Sequence, residues 1–98
     1  MNEYERLRRL AERNRQSYPK GTRLMLLSMD DPYSPVPPGT RGSVEFVDDM
    51  AQIFMHWDNG RTLPLNSDVD SFRKLTAEEL AEEQENEIDE DNGAVMGM

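Results

Sequence analysis

The chain has 98 residues, 36% of them hydrophobic and 32% charged, and a mean hydropathy of -0.84, which leaves room for one small domain but not for a large enzyme with a deep pocket. It contains no cysteine, so a disulfide framework, a thiolate metal site and a cysteine nucleophile are excluded. Its net charge of -9 argues against broad affinity for nucleic acid through the whole molecule.

Residues 1–17 carry five Arg against three Glu and read as a basic amphipathic helix. Tyr4, Leu7, Leu10 and Ala11 give a narrow apolar stripe. Asn2 is placed to cap the start, with Glu5 three residues on. Pro19 forces Tyr18 out of the helical region and ends the element. The arginines form either a solvated face or one that meets phosphate or an acidic partner.

Residues 18–75, with six basic and eight acidic groups, are punctuated like short strands. Strands are expected at Thr22–Leu27, Arg41–Val47, Gln52–Trp57 and Arg61–Leu65. Val44 and Phe46 are expected on one face of the second, and Ile53, Met55 and Trp57 on one face of the third. The expected core is Met25, Leu27, Val44, Phe46, Ile53, Met55, Trp57, Leu63 and Phe72. Asp58-Asn59-Gly60-Arg61 predicts a tight hairpin with Asn59 and Gly60 both at positive φ, and Asp48-Asp49-Met50-Ala51 a looser one. Short antiparallel strands in so few residues point to a closed or nearly closed barrel, which hides its edges.

Ser28 to Thr40 forms a long connection with Asp30, Asp31, Tyr33 and four prolines. Stiffened and carrying an aromatic, it is either a partner-contact loop or a crossover with Tyr33 packed over the barrel mouth. Residues 76–98 carry nine acids and no base. They read as an acidic tail, partly disordered or helical, with Thr76 as a cap and Glu79 three residues later.

Candidate chemistry is sparse. His56 is the only histidine, and no nucleophile-elbow glycine pattern accompanies it. It is expected as a cross-strand residue. One His without Cys fits none of the usual zinc sites. The acid pairs Asp30-Asp31 and Asp48-Asp49 suit turns. Neither a catalytic residue nor a cofactor is expected.

Five segments, in order, carry a resemblance: Tyr18-Pro19-Lys20-Gly21-Thr22-Arg23, Met29-Asp30-Asp31-Pro32-Tyr33, Pro37-Pro38-Gly39-Thr40-Arg41-Gly42, Trp57-Asp58-Asn59-Gly60 and Asp70-Ser71-Phe72-Arg73. Together they resemble a domain-of-unknown-function family of small proteins from phages and conjugative elements of Firmicutes. The glycine-turn-strand element Pro38 to Val44 is similar to that of SH3-like barrels. The resemblance implies a mainly β, small SH3-like antiparallel barrel and a mobile-genetic-element setting.

The expected function is that of a non-enzymatic, cytoplasmic binding module. It would occupy a host protein or nucleoprotein complex, in particular one of a host defence system such as CRISPR or restriction machinery. The expected contacts are Tyr33, Asp30, Asp31 and Arg41, with Glu82, Glu83, Glu85 and Glu87 of the tail mimicking the phosphates of DNA. The rival expectation is a nucleic-acid-binding accessory protein. There Arg6, Arg9, Arg13, Arg23, Arg41 and Arg61 would meet phosphates, Trp57 or Tyr33 would stack on a base, and the tail would compete as an autoinhibitor.

Overall fold

A computed structural model describes residues 2–31 and 33–85. Helix α1 spans Glu3–Ser17, and the Asn2 side chain accepts the Glu5 N–H at 2.8 Å, as an N-cap should. Ala11 and Asn14 are buried, and Leu7 and Leu10 pack against the core. Tyr4 is two-thirds exposed and lies under Arg8 instead. The docking stripe therefore runs from Leu7 to Asn14, one turn beyond the expected one. Asn14 Nδ2 donates to the Ala51 carbonyl and to Ser67 Oγ, tying α1 to two turns of the body.

Five antiparallel strands follow: β1 Arg23–Ser28, β2 Arg41–Val47, β3 Gln52–Trp57, β4 Leu65–Asn66 and β5 Ser71–Lys74. Their order in the sheet is β4-β3-β2-β1-β5, the meander of a small SH3-like barrel with the last strand returning to the first. The edge strands β4 and β5 are joined by a turn at Asn66–Asp70. The Asp70 carboxylate holds that turn by accepting the Asn66 N–H, and it also accepts the Asp30 N–H from the long connection. A second helix, α2, covers 77–85. Among the described residues no helix is long and apolar enough to cross a membrane.

The core faces differ from expectation in two strands. In β1, Leu24 and Leu26 are fully buried, while Met25 is half-buried and Leu27 is exposed. Four consecutive apolar residues leave the period-two phase undetermined, and pairing decides it. In β2 the register shifts between Val44 and Phe46. This bulge turns Phe46 outward, half exposed, and brings Val47 into the core. Phe46 then stacks on Phe54, ring centroids 4.6 Å apart. Strand β3 is as expected, with Ile53, Met55 and Trp57 buried. The fourth strand is shorter than expected. Pro64 offers no N–H, and Leu63 gives its carbonyl to the Trp57 indole at 2.7 Å rather than to a ladder.

Both hairpins of the meander use three-residue loops. Gly60 N–H bonds the Trp57 carbonyl and Trp57 N–H the Arg61 carbonyl; Ala51 and Asp48 make the same two bonds with Asp48 and Gln52. In each, only the last loop residue takes positive φ: 88° at Gly60 and 66° at Ala51. Asn59 does not, so the expected two-residue turn is replaced by a turn ending in a left-handed residue. Glycine remains the favoured residue at position 60 for the same steric reason. Gly60→Val should cost about 1–2 kcal/mol through a β-branched residue at positive φ. Thermal unfolding checks this, and an unchanged midpoint would contradict the turn geometry.

Candidate functional site

The long connection between β1 and β2 is built as an anchored loop with an exposed tip. Val36 is buried in the core, and Leu26 and the Gly39–Thr40 backbone close the loop's base. Ser34 Oγ bridges Met29 Sδ and the Val36 backbone. Asp31 accepts the Tyr33 N–H in a side-chain turn. At the tip, Tyr33 is 90% exposed. It does not pack over the barrel; Val36 is the residue of this loop that enters the core. Asp30 and Asp31 join Asp70 around a shallow groove whose apolar walls are Met29, Leu63 and Pro64. The fold thus gathers Tyr33, Asp30 and Asp31 on one loop, beside an acidic groove.

Arg41 lies elsewhere, on the sheet's outer face, opposite the core. Arg23 and Met25 of β1 alternate with buried Leu24 and Leu26, Arg41 alternates with Gly42, and Arg73 pairs in register with Met25. α2 crosses this face. Thr76 and Glu79 form the expected capping box, with reciprocal bonds of 2.8 and 3.1 Å. Glu79 and Glu83, one turn apart, point at the sheet. Glu79 takes a bidentate bond from Arg73 and lies 3.7 Å from Arg41. Glu83 takes a bidentate bond from Arg23 and one from Arg41 at 3.4 Å. Arg23 also donates to Asp58 through two nitrogens and to Ser43. All five of its N–H donors are used.

These contacts set the titration of the face. The Arg73 bond, with the Thr76 N–H, lowers Glu79 to about 2. Arg23 holds Glu83 and Asp58 below the ordinary carboxylate range. A carboxylate depressed in the folded state stabilises above its unfolded pKa and loses that contribution as pH falls through the folded value. Docking of α2 should therefore be complete above about pH 4.5 and fall away as the pH drops toward about 2. Amide chemical shifts of residues 76–83, followed during an acid titration, check this; coil-like shifts already at pH 5 would contradict it.

Of the tail residues singled out by sequence, Glu83 is turned inward onto arginines, Glu82 and Glu85 face solvent, and Glu87 lies outside the described residues. Trp57, the alternative stacking residue, is buried with its indole bonded, so it presents no face to a ligand. His56 is exposed on β3 and pairs with Glu45 across the strand pair. Sequence reasoning missed the Phe46–Phe54 pair. Phe54 was legible from the alternation around it, but Phe46 was hidden by the bulge.

A family model for a domain of unknown function, DUF4314, matches residues 5–75. The chain belongs to the DUF4314 family. The match takes in nearly all of α1 as well as the barrel, beyond the segments that carried the sequence resemblance, and stops at Leu75, before α2. No curated protein and no solved structure matches the chain. Within the family region, the resemblance segments meet in space. Arg23 grips Asp58, Asp70 holds the Asp30 backbone, and Gly21, Gly39 and Gly60 occupy positive φ. Those residues build the scaffold, and Tyr33 stands 90% exposed beside it.

Proposed function

We propose that this protein is a non-catalytic binding module that docks a protein or nucleoprotein partner through the loop tipped by Tyr33. The observation carrying this reading is a 90% exposed tyrosine on a loop whose two ends and centre are fixed to the core. An aromatic anchor held in advance loses little conformational entropy on binding. Asp30, Asp31 and Asp70 beside it, over Met29 and Leu63, suit a partner segment that is basic and partly apolar. The resemblance to proteins of phages and conjugative elements makes host defence complexes, CRISPR or restriction, the partners to test first.

Tyr33→Ala should weaken partner binding by about 2 kcal/mol, roughly thirtyfold. Its melting temperature should stay at the parental value, because the ring buries almost nothing. The experiment pairs affinity purification from host cells with a melt of the same variant. A destabilised Tyr33→Ala protein that retains its partner with parental affinity would sink this reading.

A further inference from the structure

The outer face of the sheet carries two features that the Tyr33 loop does not use. One is a chain of alternating charges, Arg73–Glu79–Arg41–Glu83–Arg23–Asp58, in which α2 supplies both of the central carboxylates. The other is the stacked Phe46–Phe54 pair, with Phe46 half exposed. Strand register places them on one surface: Arg23 pairs with Ser43 and Ser43 with His56, and Phe46 with Phe54 lies three residues further along β2, about 10 Å away. Lys20, Glu45 and Arg15, the last paired with Asp49, line the rim beside Phe46.

We propose that this face is a single-stranded nucleic-acid site, with Arg23, Arg41 and Arg73 contacting phosphates and Phe46 and Phe54 stacking on bases, and that α2 is a strap covering the phosphate half. Guanidinium forks donate to phosphate in the same bidentate geometry as to carboxylate, so a nucleotide backbone can replace Glu79 and Glu83 group for group. Asp58 stays with Arg23, which offers the backbone the edge that Glu83 now holds. Arginine rows beside exposed aromatic rings are the ingredients of single-strand recognition, because unpaired bases can reach the rings and duplex bases cannot. The strap is held by charge. Ala77 and Ala81 are exposed, and Leu80 is 39% exposed, so ion pairs rather than apolar burial fix it. Strap and strand compete for the same arginines, and each lowers the apparent affinity of the other.

The test is fluorescence anisotropy of a labelled oligothymidine at low salt with the full chain. Glu79→Gln with Glu83→Gln should bind about tenfold or more tightly than the parent. Glu82→Gln with Glu85→Gln removes the same charge from the solvent side of α2 and should change affinity little. Adding Phe46→Ala to the first variant should remove most of the gain. If the first variant fails to fold, Ala81→Pro breaks α2 with every charge retained, and it should show the same gain. No gain on releasing the strap, an equal gain in both charge variants, or an equal gain for duplex DNA would each overturn the proposal.

Discussion

Gly42→Val should destabilise the protein by about 3 kcal/mol or more, the upper end of what overpacking costs. Gly42 pairs in register with Trp57 across β2 and β3. A Cβ at this position would lie 2.8 Å from Trp57 Cε3 and 2.9 Å from the His56 carbonyl oxygen. The carbonyl belongs to the ladder and cannot withdraw. The indole cannot either, because it is buried and its nitrogen is bonded to Leu63. For a domain of this size the loss corresponds to a fall in melting temperature of about 12 °C or more. Replacing Trp57 by Leu in the same chain should give a combined loss smaller than the sum of the two single losses, since both act on one contact. Strictly additive losses would show that the indole is not what Gly42 makes room for.

Arg23→Ala should cost about 2–3 kcal/mol and detach α2. Breaking a fully buried pair costs about 3–5 kcal/mol, and partial solvent access at Asp58 and Glu83 reduces that here. Without the guanidinium, Asp58 and Glu83 lose their main partner, and the pKa values of both should rise toward the ordinary range. Carboxylate titration by NMR, together with a thermal melt, reads both effects. Arg23→Lys should restore little, because one ammonium cannot serve two bidentate carboxylates and Ser43. A lysine variant that melts like the parent would show that charge alone, without the fork geometry, holds this corner.

The released helix links the second result to function. The Arg23 variant should free α2 but also lose one of the proposed phosphate contacts. The Glu79 and Glu83 variants free α2 with all three arginines in place. Comparing them separates the strap from the site beneath it.

Much of the fold was legible because it depends on neighbours in the chain. Asn2 with Glu5 and Thr76 with Glu79 are caps closed within three residues, and Pro19 ends α1 by its own ring. The β3 face was readable because Gln52 to Trp57 alternates without ambiguity. The demand for glycine at position 60 was also local, although the loop proved one residue longer than the Asn-Gly pair suggested.

What the tertiary structure decided rests on partners far along the chain. The phase of β1 could not be read from Leu24 to Leu27, since all four are apolar; pairing with β2 and β5 selected Leu24 and Leu26 for the core. The bulge that turns Phe46 outward exists only in the register between β2 and β3. The exposure of Tyr33 followed from Val36 taking the core position. Sequence composition alone determined that residues 76–98 are acidic. That Glu79 and Glu83 face arginines follows from Arg23, 60 residues before Glu83, and Arg41, 42 residues before it, reaching the same side of the sheet. Helix and turn signals act over one turn of chain, whereas a charge finds its partner only after the strands have aligned.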